Sequence, residues 1–356
     1  MKNLRQGISM FIVTIDSGTT NTRVRVWQDN ALAADVSEPV GMRDTAVTGN
    51  RAALIAAIKK ALAQALMLAG SQTSDRCVIV ASGMITAEAG LFPLPHLSTP
   101  VSLEQLARSA VAHRIPEISF QPIWFIPGVK NAVTPVNIGN LDAMDVMRGE
   151  EVETFGLLAQ NPVAGPALIV LPGSHTKFVV VDKHQQIASC ATTMAGELLD
   201  VLTHHTLLAN SLDGQFVTVL DGEYLLKGAA SCSRVGFARS CFSVRLLDLF
   251  LNASHDQKAS YLLGATLCSD IQALKNSQAL AMTPDMPVVI SGKAILQEAL
   301  AMLISTDPFF TGGVVRVDED PERPLSGIGA LAVMEKILSF AAGQDVLHSA
   351  PLSQEN

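Results

Sequence analysis

The chain has 356 residues, room for about two domains at ~150 residues each. With 48% hydrophobic and 16% charged residues, it can build a sizeable core and does not fit a disordered protein. Lys and Arg number 25 against 33 Asp and Glu, a net charge of −8 with no basic run, which argues against sequence-independent nucleic-acid binding. Five scattered cysteines contain no CxxC pair; this argues against a zinc ribbon, a redox dithiol or a disulfide framework, and fits a reducing cytosol.

Residues 1–9 read as a leader of little structural consequence, because Met10 stands directly before an apolar, β-branched run ending at Asp16. No apolar run reaches the ~18 to 20 residues of a spanning helix. The first strand passes through a turn, Asp16-Ser17-Gly18-Thr19-Thr20-Asn21, into a second strand in which Arg23 and Arg25 alternate with Val24 and Val26, a period of two. A helix is predicted between Asn50 and Gly70, then a strand over Cys77–Ala81 running into Ser82-Gly83-Met84. Ser102 and Gln105 have the spacing of a capping box, and Trp124-Phe125-Ile126 reads as a strand. Asp145 to Gln160 reads as one helix with Arg148, Glu150, Glu151 and Glu153 near its start. The turn-rich stretch 161–166 is the candidate domain boundary.

Beyond it, the opening plan repeats: a strand from Ala167 to Leu171, a turn of Pro172-Gly173-Ser174-His175-Thr176-Lys177, and a strand from Phe178 to Asp182. Helices are expected near 195–209, 258–275, 294–304 and 327–340, with a strand at Val288–Ile290. Residues 211–242 mix Gly, Ser and short apolar pieces and give no assignment; the tail after Gly343 is polar.

The pseudo-repeat carries the chemistry. A small-residue turn between strands points backbone N–H groups and hydroxyls outward, a donor set suited to phosphate oxygens. Two such turns, one per half, predict a grip on a polyphosphate. Gly18, Thr19, Thr20, Asn21 and Arg23 form the first set; Gly173, Ser174, His175, Thr176 and Lys177 form the second. Asp16, at a strand end, can hold a hydrated Mg²⁺. Gly196 lies in a small-residue run before a helix and is placed beside the nucleotide. In the polar cluster Asp145–Glu151, Arg148 has the shape to bind a substrate carboxylate through two parallel bonds, and a neighbouring carboxylate, Asp145 first and Glu150 second, can accept a hydroxyl proton. The plain alternative is an acidic helix start that offsets the dipole. No GxxxxGK[ST] or HExxH motif is present, and Gly327-Ile328-Gly329 lacks the third glycine of a dinucleotide fingerprint.

These segments, in this order, resemble the 2-dehydro-3-deoxygalactonokinase family of the actin-like sugar kinase superfamily. The resemblance runs from about residue 10 to 340 and is most specific at Met147-Arg148-Gly149-Glu150-Glu151 and Pro172-Gly173-Ser174-His175-Thr176-Lys177. It implies an α/β protein of two RNase H-like domains with an ATP cleft between them. Residues 1–160 would carry the first phosphate loop and the sugar-acid site, residues 161–345 the second phosphate loop and the adenosine site, and residues 346–356 a polar tail. By the same resemblance Gly292, with Gly196 and Gly327, would approach the adenosine, and Gly83, Met84, Arg148 and Glu151 would contact the substrate. Asp16, Asp145 and Glu150 would be the catalytic carboxylates. The implied reaction moves the γ-phosphoryl group of ATP, with Mg²⁺, to the 6-hydroxyl of 2-dehydro-3-deoxy-D-galactonate in a cytoplasmic enzyme.

Competing expectations are a kinase for another 2-keto-3-deoxy sugar acid, a phosphohydrolase on the same fold, and a non-catalytic sugar-acid sensor. A phosphohydrolase would leave Arg148 and Glu151 without an evident use. The sequence implies no nucleic-acid or membrane partner and leaves the oligomeric state open, a homodimer included.

Overall fold

The structure is a computed structural model that describes residues 10–71 and 76–348. The candidate leader, residues 1–9, and the end of the polar tail, residues 349–356, lie outside the described residues. The chain gathers into two compact units. The first is Met1–Val129, Arg148–Pro162 and Asp320–Asn356; the second is Lys130–Met147 and Val163–Glu319.

The first unit has a six-stranded sheet in the order Ala31–Glu38, Thr22–Gln28, Met10–Ser17, Arg76–Gly83, Ser119–Phe125, Val111–Ile115. Met10–Ser17 pairs antiparallel with Thr22–Gln28 and parallel with Arg76–Gly83. Its centre is largely apolar, with Val13, Ile15, Val24, Val26 and Ile79 buried. The helix Ala52–Leu68 buries Leu54, Ala57, Ile58, Ala61, Leu62 and Ala65, the i, i+3, i+4 stripe its sequence spells, into the core shared with the sheet. Asn50 accepts a hydrogen bond from Ala52 N at 2.8 Å at the start of this helix. Arg25, in the middle of a strand, is buried and pairs with Asp35 at 2.9 Å.

Two helices of this unit, Glu150–Gln160 and Leu325–His348, cross backbone to backbone. A Cβ on Gly329 would run into the Val152 carbonyl, and one on Gly156 into the Leu325 carbonyl. Gly329→Ala should therefore destabilise the protein by ~1–3 kcal/mol, the usual cost of overpacking. A denaturant midpoint equal to that of the parent protein would contradict this close crossing.

The second unit repeats the strand order on five strands: Ile187–Thr193, Thr176–Val181, Ala167–Leu171, Val288–Ser291, Val314–Val317. Again the first strand of the hairpin is central, antiparallel to the second and parallel to the later Val288–Ser291. A central antiparallel hairpin extended by parallel strands is the RNase H-like arrangement, and its duplication is that of the actin-like ATPase fold. The long helix His255–Asn276 buries its apolar face in this unit's core.

Two expectations need correction, and one unassigned stretch gains a structure. Residues 145–149 are not helical; the helix begins at Glu150, with Gly149 as its N-cap at φ 115, so Arg148 precedes the helix. Residues 211–242 hold most of a helix pair, Gly222–Val235 and Phe237–Leu251. The last helix continues past Gly343 to His348. Among the described residues no helix is long and apolar enough to cross a membrane.

Candidate active site

In the first unit, the strand that begins at Met10 ends in the first loop. Asp16 lies opposite Arg23 and Ser17 opposite Thr22 in the hairpin register. The base of the loop is locked: Ser17 Oγ and Thr22 Oγ1 are 3.0 Å apart, and Thr22 Oγ1 donates to Val40 O at 2.8 Å. Two of its carbonyls, Gly18 O and Thr19 O, accept from Met42 N at 3.0 Å and Arg43 N at 2.8 Å. Thr19, Thr20 and Asn21 are exposed at the tip, with Asn21 Nδ2 donating to Thr20 Oγ1 at 2.9 Å. Gly41 allows this: a Cβ there would meet Thr19 O and Thr20 N within 2.6 Å. Sequence reasoning gave Gly41 no role, because nothing local shows which backbone it passes.

Gly83 ends the neighbouring parallel strand at φ 84, and a Cβ on it would sit 2.6 Å from Ser17 O and 3.3 Å from Asp16 Oδ1. Gly149 approaches the same point, its Cβ direction meeting Gly83 Cα at 3.4 Å. Arg148 then reaches into the Met84–Leu94 segment. Its Nη1 donates to Thr86 Oγ1 at 2.6 Å and its Nη2 to Leu94 O at 2.9 Å, with a His96 ring nitrogen 3.2 Å away. The Thr86 and Leu94 bonds use two of the five guanidinium donors. The structure thus brings Gly83, Met84, Arg148 and Glu151 into one neighbourhood of the first unit.

Glu151 is fully buried, and both its carboxylate oxygens accept from Gly149 N, at 2.9 and 2.8 Å. Burial pushes its carboxyl up to about 8, and the charge of Glu150 adds to the effect. Glu153 is also pushed up to about 8, by desolvation first and then by Asp16, Glu150 and Glu151, with Arg23 pulling the other way. Asp16 and the helix start therefore form one acidic group around Arg23. Sequence reasoning missed Glu153, whose importance comes from its proximity to Asp16.

Asp16, at the strand end beside this acidic helix start, is the kind of hard oxygen donor that a hydrated divalent cation takes. Among the described residues no three His, Cys, Asp or Glu side chains form a protein cage for a metal. Mg²⁺ carried by a nucleotide needs only one or two carboxylates, with water and phosphate oxygens completing its shell.

In the second unit, Gly173, Ser174 and His175 are exposed at the tip of the second loop, while Thr176 and Lys177 are buried at its base. The helix Ala195–His204 abuts it: Glu197 N donates to Ser174 O at 2.9 Å, His175 Nε2 lies 2.8 Å from Glu197 Oε2, and a Cβ on Gly196 would collide with Gly173 O. Gly292, at φ 113, packs on Pro172. Lys177 Nζ donates to Thr192 Oγ1 at 2.8 Å and to Val146 O at 3.1 Å. Thr192 Oγ1 in turn donates to Asp145 Oδ1 at 2.7 Å, Thr192 N to Asp145 Oδ2 at 2.7 Å, and Val146 N to Asp145 Oδ1 at 2.6 Å. Asp145 also lines a cavity of about 400 Å³ with Thr192, Thr193, Asn276, Ser277 and Gln278 among its walls.

The structure gathers Gly173 to Lys177, Gly196, Gly292 and Asp145 in the second unit. Gly327 belongs to the first, where its missing Cβ makes room for the buried Trp27 indole.

This chain is 27% identical over 274 residues to the 2-dehydro-3-deoxygalactonokinase of Escherichia coli (strain K12), covering 74% of this chain and 80% of that one. It is 27% identical over 264 residues to the probable 2-dehydro-3-deoxygalactonokinase of Rhizobium meliloti (strain 1021), covering 74% and 76%. Its fold matches the crystal structure of a candidate 2-dehydro-3-deoxygalactonokinase from Sinorhizobium meliloti with a TM-score of 0.70, at 22% identity and over 93% of this chain and 99% of that one. The model of the 2-keto-3-deoxy-galactonokinase family matches residues 16–307. With both loops, the acidic helix start and Arg148 inside that span, the chain belongs to the 2-keto-3-deoxy-galactonokinase family.

Proposed function

We propose that this protein is an ATP- and Mg²⁺-dependent kinase that phosphorylates the 6-hydroxyl of 2-dehydro-3-deoxy-D-galactonate in the cytoplasm. The observation that carries this reading is the family match over residues 16–307. The names of the two curated relatives support the substrate. ADP release that depends on this sugar acid is the test.

Phosphoryl transfer asks a protein mainly for positioning and charge neutralisation. The turns Gly18–Asn21 and Gly173–His175 would hold the phosphates, with Arg23, Thr176 and Lys177 at the loop bases. Gly196 and Gly292, packed against Gly173 and Pro172 of the second loop, would hold that loop beside the adenosine. Asp16 would hold Mg²⁺ through water, and the ion would neutralise charge on the β- and γ-phosphates. Arg148, with Gly83 and Met84, would receive the sugar acid, and Glu151, buried on Gly149 N, would fix the backbone beside it. Asp145 would take the proton of the attacking hydroxyl as its oxygen bonds to the γ-phosphorus and ADP leaves; Glu150 is the second candidate.

Thr19→Ala and Lys177→Ala each remove a donor from a different loop. Each should weaken ATP binding by roughly ten-fold or more, the loss expected for a hydrogen bond to a charged group. Calorimetry with Mg²⁺–ATP checks this, and unchanged affinity in both variants would remove the two-loop reading.

A further inference from the structure

The helix His255–Asn276 presents positions 263, 267, 270 and 274 to the core of the second unit, a regular helical stripe. Three of them are Leu263, Leu267 and Leu274, members of the apolar core; the fourth is Asp270, only 2% exposed. A leucine would suit that position by pattern alone. Beneath the second loop, Thr176 and Thr193 face each other across the strand pair Thr176–Val181 and Ile187–Thr193. Their hydroxyls approach the Asp270 carboxyl and favour its charged form, against a larger effect of burial that pushes it up to about 7. Asp270 Oδ2 and Thr193 Oγ1 are buried without closing a hydrogen bond of good geometry. Such a carboxyl weakens the fold relative to an apolar side chain, so its presence points to a role other than stability.

We infer that Asp270 is a positioning residue for the second loop. Its carboxyl, buried under the hairpin beside the hydroxyls of Thr176 and Thr193, supports the strand end from which Gly173, Ser174 and His175 project. The loop is held on its other side by Glu197 N on Ser174 O and by Gly196 against Gly173. Asp270 supplies the support from below. This rests on the proposal that the second loop holds ATP phosphates.

The test is Mg²⁺–ATP binding by calorimetry, with melting temperature, on the full chain and its Asp270→Leu, Asp270→Asn and Lys177→Ala variants. Asp270→Leu should bind ATP ~10-fold more weakly with a melting temperature equal to or above that of the parent. Asp270→Asn, which keeps one acceptor oxygen, should fall between the two. A purely structural Asp270 would instead lower the melting temperature and leave affinity unchanged. Normal ATP affinity in Asp270→Leu, while Lys177→Ala is weakened, overturns the positioning role alone. Normal affinity in Lys177→Ala as well overturns the phosphate-loop reading beneath it. Should Asp270→Leu fail to fold, Asp270→Asn decides: parental affinity in that variant overturns the inference.

Discussion

Asp145→Asn should lower turnover by ~10² to 10⁴, the usual contribution of a general base, with ATP affinity close to that of the parent. Three donors hold the Asp145 carboxylate: Thr192 N, Thr192 Oγ1 and Val146 N. A carboxylate has about four acceptor positions, so one is left for a substrate hydroxyl while the others fix its aim. The asparagine amide cannot take a proton, and its NH₂ end cannot accept from Thr192. Part of the loss could therefore come from the broken clamp, which is worth ~1–3 kcal/mol if a donor is left buried and unpaired. Thr192→Val separates the two effects. It removes the hydroxyl that Asp145 holds but leaves the carboxylate, so it should share the stability loss and keep most of the turnover. Near-normal turnover in Asp145→Asn would move the proton acceptor to Glu150, and Glu150→Gln should then show the loss.

Arg148→Lys should raise KM for the sugar acid by roughly ten- to 150-fold, the equivalent of one charge-assisted hydrogen bond at ~1.5–3 kcal/mol, with KM for ATP little changed. A 2-keto-3-deoxy sugar acid carries a carboxylate that neutral sugars lack. The planar guanidinium can bind it through two parallel bonds, a geometry that lysine cannot copy. In the structure the same side chain also ties Thr86 Oγ1, Leu94 O and His96 together, so it shapes the segment that follows Gly83 and Met84. Lysine could keep one of these contacts and not all three. A variant that melts lower yet keeps a normal sugar-acid KM would make Arg148 a brace for that segment and end the carboxylate reading.

The hairpin loops were legible because their signals are local: an apolar strand, a run of Gly, Ser and Thr, and a second apolar strand. The helix Ala52–Leu68 and the Ser102–Gln105 capping box were legible for the same reason, and the structure closes both bonds of that box. The start of the Glu150–Gln160 helix was misplaced because the polar residues 145–148 look like a first turn. Their side chains and backbone are used instead on Thr192, Lys177, Thr86 and Leu94.

The Gly222–Val235 helix was hidden by its small residues. Gly228 lowers helix propensity locally, but a Cβ there would run into the Tyr261 carbonyl, so it serves a close helix crossing that only tertiary structure shows. The edge strand Val111–Ile115 is mostly exposed and carries little periodicity to read. Glu153 and Asp270 were invisible as special residues because their environments depend on partners distant in sequence: Asp16 for one, Thr176 and Thr193 for the other.

ATP-dependent phosphorylation of a 2-keto-3-deoxy sugar acid is read out by coupled ADP release over a panel of such acids, with the corresponding neutral sugars as controls and Mg²⁺–ATP throughout. ADP should form with 2-dehydro-3-deoxy-D-galactonate faster than with every other member of the panel, with one phosphate transferred to its 6-hydroxyl for each ADP formed, and none should form with the neutral sugars. ADP release that is the same with and without any sugar acid, or release that follows the neutral sugars, would contradict it.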